Sequence, residues 1–166
     1  MVVVQRGMRF FTLLVLVLAG CGAEPDGTTQ KVVIGGRKFV LELALTDPQR
    51  IQGLSDRHDI AENGGMLFVF PDLVPGAESY GFVMRHCYVP IDLLYLDPDG
   101  RVIATHEMQV EPYDRPENQL KVYAAGWPYQ FAIELRSGMI RQCHLGKGDK
   151  VELTGTTWPD LKDRAR

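Results

Sequence analysis

Two cysteine–histidine neighbours, His86-Cys87 and Cys143-His144, together with Arg85 and Asp92, are the side chains of this sequence best suited to chemistry. In an oxidising compartment, an even pair of thiols points first to a Cys87–Cys143 disulfide. Two separately buried thiols are the alternative, because sequence spacing alone does not bring two Cα atoms within about 7 Å. A zinc site built from the same four residues fails on geometry. Neighbouring strand residues point to opposite faces, and the usual spacer between ligands is missing. Neither a metal nor a cofactor is expected. A Cys87 nucleophile with His86 or His144 as base fails likewise, since adjacency in sequence is not the spatial arrangement that catalysis needs. His106-Glu107 lacks the second histidine of a zinc-protease helix, Val110 standing in its place, and His106 falls on the apolar face of its strand as a hydrogen-bonded core histidine. Gly146-Lys147-Gly148 lacks the Ser or Thr and the long glycine spacing of a phosphate loop, which leaves a turn.

Arg85 is more informative. On a strand over residues 80–89 it shares a side with Val83, Cys87 and Val89. A guanidinium among apolar neighbours needs a partner, and Asp92, Glu134 or Glu62 is available. One reading is a buried ion pair. The other is a pocket for a small polar or anionic ligand, lined by Arg85, His86 and Asp92 with Met84 and Glu62 beside them. A hydrolase or transferase using Asp92, His86 and Arg85 is the alternative function, and a purely structural envelope protein a third. Tyr113, Tyr123, Trp127 and Tyr129 lie in and beside a long connection, where they either stack on a ligand or partner or pack back onto the sheet. Packing is favoured.

The elements that must position these groups follow from length and pattern. A chain of 166 residues with 45% apolar and 23% charged residues has the composition of one globular domain, which excludes a largely disordered or coiled-coil protein. Its net charge of −3 argues against a nucleic-acid partner. Residues 1–20 carry Arg6 and Arg9, an apolar run from Phe10 to Leu18, and Leu18-Ala19-Gly20 before Cys21. That is the pattern of a secretion signal, with an apolar run far short of the roughly 20 residues of a membrane span. The last four residues resemble the lipobox of bacterial lipoproteins. The resemblance implies that Cys21 is lipidated and that acyl chains hold the protein to a membrane. Gly22 after the cysteine implies the outer membrane in a Gram-negative cell, on its periplasmic side or surface. Residues 21–30 then form a polar tether, 31–155 the folded domain and 156–166 a polar C-terminal tail.

Within the domain, residues 31–34 and 37–45 read as a hairpin about Gly35-Gly36. Thr46-Asp47-Pro48 opens a short helix that Gly53 stops. Residues 66–70 form a central strand ended by Pro71, residues 80–89 a long strand, and residues 91–96 another. A strand over 101–110 follows, with Val102, Ala104, Met108 and Val110 on one face. Residues 111–128 are a long irregular connection, 131–135 a strand, 137–145 a short helix, and 150–153 a last strand.

Gly53-Leu54-Ser55, Gly65-Met66-Leu67-Phe68-Val69-Phe70-Pro71, Phe82-Val83-Met84-Arg85, Pro90-Ile91-Asp92 and Gly148-Asp149 occur in the order and spacing of the DUF192 (UPF0127) family, which this chain resembles over residues 31–153. The resemblance implies a small α+β, mainly β domain with a curved or barrel-like, largely antiparallel sheet and one or two short helices. Such domains are often exported or lipid-anchored, and no activity is established for them. A binding or accessory module for a small polar ligand or an envelope protein is the function it suggests. His86-Cys87 departs from the family pattern, which has Asn or Asp and a small residue there.

Overall fold

The structure, a computed structural model, describes residues 28–166. Cys21, the signal pattern and most of the tether lie outside the described residues. Seven strands form one mixed sheet curled into a half-barrel, in the order β5-β4-β6-β3-β2-β1-β7. They are β1 (Thr29–Ile34), β2 (Arg37–Ala44), β3 (Met66–Val74), β4 (Ile91–Leu96), β5 (Val102–Met108), β6 (Tyr129–Arg136) and β7 (Glu152–Leu153). Only β2 and β3 run parallel, so the sheet is largely antiparallel. Three short helices accompany it: α1 (Asp47–Gln52), α2 (Met139–Gln142) and α3 (Trp158–Lys162).

Both faces of the sheet are covered. On the back face Phe39, Leu41, Leu67, Leu94, Phe131 and Ile133 pack against Met139, Ile140, Leu145, Val151, Trp158 and Leu161. On the front face Met66, Phe68, Leu93, Tyr95 and Tyr129 pack beneath Leu54, Ile60, Met84, Cys87 and Tyr123. Central strands β4 and β6 are therefore buried almost end to end, as two-sided burial requires.

The hairpin, the helix from Asp47 and the strands at β4 and β6 stand where the pattern puts them. Four expectations are corrected. Strand β3 runs past Pro71 to Val74, with a register shift between Val69 and Val74. The Gln130 side-chain amide donates there to the carbonyls of Phe70 and Asp72, satisfying backbone acceptors that the ladder leaves open. Residues 80–89 are not a strand. Glu78–Tyr80 is a 3₁₀ turn, Phe82 makes one isolated bridge to Tyr123, and His86 takes a left-handed φ of 52° that breaks any extended run. In β5 a register shift opposite Tyr95 and Leu96 sends Val102 to the back face and Ala104 and Met108 to the front. The C-terminal residues are more than a polar tail. Thr157 caps α3 through its hydroxyl, and Trp158 and Leu161, three residues apart, bury against the back-face core.

Candidate functional site

A cleft of about 640 Å³ opens on the front face, within the usual size of a small-ligand site. Helix α1 and its C-terminal turn, the far end of β3 and the irregular residues 80–87 form its walls, and β6 supplies its floor. The local sequence explains the walls. Gln49 Oε1 accepts from the backbone N–H of Thr46 at 3.0 Å and so fixes the start of α1. Gly53 ends the helix at φ 51°, a conformation that suits glycine. Arg50 ties α1 to its surroundings, donating to Val69 O at 2.7 Å and pairing with Asp47 at 2.6 Å. Across the cleft, Tyr95 holds residues 82 and 123 together: its hydroxyl accepts from Phe82 N at 3.2 Å and donates to Tyr123 O at 2.5 Å.

Glu134 stands on the floor. It is 5% exposed and lines the cleft, and its Oε2 has no hydrogen-bond partner. Burial pushes its carboxyl up to about 7, opposed by the Leu54 backbone N–H and the charge of Arg57. Arg57 is itself held by both oxygens of Glu42, whose pKa it lowers. Two glycines lie close to Glu134, Gly53 against its carboxylate and Gly65 against its backbone carbonyl. A Cβ on Gly53 would sit 3.4 Å from both Glu134 Oε2 and the Phe68 ring, and one on Gly65 would lie 2.2 Å from Glu134 O. Ser55 and Arg85 in the lining already have protein partners. Ser55 Oγ donates to Arg85 O at 2.8 Å, and Arg85 donates to Ile51 O at 2.5 Å while pairing with Glu117 at 3.3 Å. Cys87 is also in the lining, with burial first and the nearby Glu134 charge second among the causes that push its thiol up to about 11. A thiol so protonated is a poor nucleophile.

Of the residues expected to bind ligand, only Arg85 lines this cleft, and its partner is Glu117, not Asp92, Glu134 or Glu62. Arg85 is half-buried and Glu117 exposed, because the segment carrying Arg85 is irregular and strand alternation does not govern it. Met84 is fully buried in the front-face core. His86 turns outward and stacks on Tyr113 at 4.5 Å, and Glu62 pairs with Arg37 on the surface. Asp92 lies under the back face, where its Oδ2 accepts from Ile140 N at 2.7 Å. A hydrolase or transferase centre of Arg85, His86 and Asp92 is thus not assembled. The disulfide expectation is corrected too: Cys87 and Cys143 are free, buried thiols in the two separate cores on opposite sides of the sheet. That separation also keeps His86-Cys87 and Cys143-His144 apart.

His106 is a hydrogen-bonded histidine of the front face, bonded to Ala124 O at 2.8 Å. The aromatics of the long connection divide. Tyr123 and Tyr129 are core residues, whereas Tyr113 and Trp127 remain exposed. Tyr113 joins His86, Tyr88 and His58 in a surface stack of rings. Glu134 had a sequence signal, being an acidic residue inside the otherwise apolar run Phe131 to Leu135.

The family model described as DUF192, an uncharacterized group, matches residues 30–153. Among solved structures, a protein of Sinorhizobium meliloti described as a candidate transcription regulator is similar at 28% identity and TM-score 0.63, covering 77% of this chain and 95% of that one. A protein of unknown function from Novosphingobium aromaticivorans is similar at 26% identity and TM-score 0.59, covering 75% and 83%. No curated protein matches the chain.

Proposed function

Since the chain belongs to the DUF192 family, whose own description names no activity, we propose from its cleft that it is a binding module for a small polar ligand with an apolar body. The observation that carries this reading is Glu134, a buried carboxyl with an unpartnered oxygen at the floor of a cleft that Leu54, Phe68, Phe70, Phe82 and Val83 also line. Apolar side chains supply burial and a small number of polar groups supply orientation, which is how small-molecule sites work. The fully anionic ligand suggested by Arg85 alone fits less well, because Arg85 is already paired and Glu134 repels negative charge. A contact with an envelope protein is the second reading, favoured by Ile51, Leu73 and Tyr80, each at least half exposed beside the mouth.

The domain works outside the cytoplasm, held to a membrane through acyl chains on Cys21. Supporting this are the three-part signal pattern of residues 1–20 and the cysteine after Leu18-Ala19-Gly20. Among the described residues no helix is long and apolar enough to cross a membrane. In a Gram-negative cell, Gly22 favours the outer membrane. The regulatory description of the Sinorhizobium protein is not carried over, since an acidic chain gains nothing from phosphate contacts.

A fragment screen followed by amide chemical shifts tests the module. Hits that move Leu54, Phe68 and Phe82 together are expected, and a screen whose hits all leave these residues unmoved contradicts the reading. Cys21→Ser should abolish lipid labelling and release the protein from membranes. Unchanged labelling defeats the anchor.

A further inference from the structure

The chemistry of the cleft floor says more about the ligand. Glu134 Oε2 and Asp92 Oδ1 are the buried side-chain oxygens without partners among the described residues, and of these two residues only Glu134 lines the cleft. The cations near it are committed elsewhere: Arg57 to Glu42, Arg85 to Glu117 and Ile51 O, Arg50 to Asp47 and Val69 O. Phe68, Phe70, Phe82 and Tyr129 also line the cleft; Phe68 shares with Glu134 Oε2 the space beside Gly53, and Phe68 and Phe82 stand edge to face at 4.9 Å. A buried carboxylate whose nearby cation, Arg57, is bound to Glu42 asks for a donor that also carries positive charge, and aromatic walls accept both an apolar body and a cation.

Resting on the cleft reading above, we propose that the ligand is an amine: its ammonium group pairs with the Glu134 carboxylate and its apolar body lies against Phe68 and Phe82. A hydroxyl would satisfy the oxygen without neutralising it, and an anion would be repelled. Binding is therefore stronger when Glu134 is ionised. The groups whose charges reach Glu134 are Arg57, Cys87 and Tyr95. Burial pushes the Cys87 thiol and the Tyr95 hydroxyl upward, so neither competes near neutrality. The pairs Arg50–Asp47 and Arg85–Glu117 flank the cleft, and no histidine lines it.

Three probes of one shape test the proposal on the purified full chain: 2-phenylethylamine, 2-phenylethanol and 3-phenylpropionate, each titrated at about pH 8.5, where Glu134 is ionised and the amine still charged. The amine should bind roughly tenfold tighter than the alcohol, with the propionate weakest. Glu134→Gln should remove that preference. Lowering the pH of the wild type to about 5.5 should remove it too, which decides the matter even where the variant folds poorly. An amine preference that is absent in the wild type, or that survives both changes, overturns the amine assignment. If the alcohol or propionate still shifts Leu54, Phe68 and Phe82, the cleft reading stands without it. Should none of the three probes move those residues, both fail.

Discussion

Two buried carboxyl groups occupy neighbouring strands of the sheet and differ in almost everything else. Leu93 of β4 pairs with Glu134 of β6, and Asp92 pairs with Leu135, so the two acids stand one register step apart on opposite faces. Each has one oxygen without a partner, and burial pushes each pKa up. What separates them is the cover. Asp92 sits under α2, whose Ile140 N–H it accepts, and is sealed by apolar side chains of α2 and the segment after it. Glu134 sits under α1 and an irregular segment joined by side-chain-to-backbone bonds such as Ser55 to Arg85 O, and that cover leaves a cleft. The first carboxyl organises the scaffold and the second lies at the floor of a cleft. Burial alone therefore does not identify a site; what lies above the buried group does.

The comparison breaks most visibly through mutation. Asp92→Ala leaves the Ile140 N–H without its acceptor in a closed core and should destabilise the protein by about 3 kcal/mol. Glu134→Gln should cost little, and a denaturant melt at about pH 7.5 in which the two variants lose equal stability would contradict the assignment of roles.

Next in size is a pH effect. Because burial raises the Glu134 pKa in the folded state, its contribution to stability is complete below the unfolded value near 4.5 and is lost as pH rises through about 7. The loss is on the order of 3 kcal/mol across that window. Glu42 has the opposite sign, since Arg57 lowers its pKa, and its contribution is lost only as pH falls below the ordinary carboxylate range. Asp92 acts in the same direction as Glu134, so the difference between wild type and Glu134→Gln isolates the cleft residue. Parallel pH profiles for the two proteins would show that Glu134 ionises like a solvated acid.

Smallest is Arg85. Its partner Glu117 has a side chain that is 66% exposed, so Arg85→Met should cost about 1 kcal/mol, mainly the bond to Ile51 O. A loss of about 3–5 kcal/mol would instead indicate a buried pair.

Much of the scaffold was legible because its signals are local. The Gly35-Gly36 turn, the Thr46 cap with Pro48, and the apolar runs of β4 and β6 each fix an element within a few residues. The stretch around Arg85 was not. Val83, Arg85, Cys87 and Val89 fall on alternate positions as in a strand, yet the only bridge of this stretch is at Phe82, while the Asp56 N–H donates to His86 O and Tyr95 and Ser55 hold it by side-chain bonds from elsewhere in the chain. The strand through Pro71 was hidden for a similar reason, because the satisfying group is Gln130, far along the sequence. The site suffered most, since which carboxyl faces a cleft depends on a register step between β4 and β6 and on what covers each face.

The central claim is that Glu134 is a buried, ionisable group open to a ligand, and nuclear magnetic resonance of its carboxyl carbon tests this directly. Followed from about pH 4 to 9, the resonance should titrate with a midpoint near about 7, and saturation with 2-phenylethylamine should move that midpoint down. A midpoint in the ordinary range near about 4.3 that the amine leaves unchanged would contradict the account.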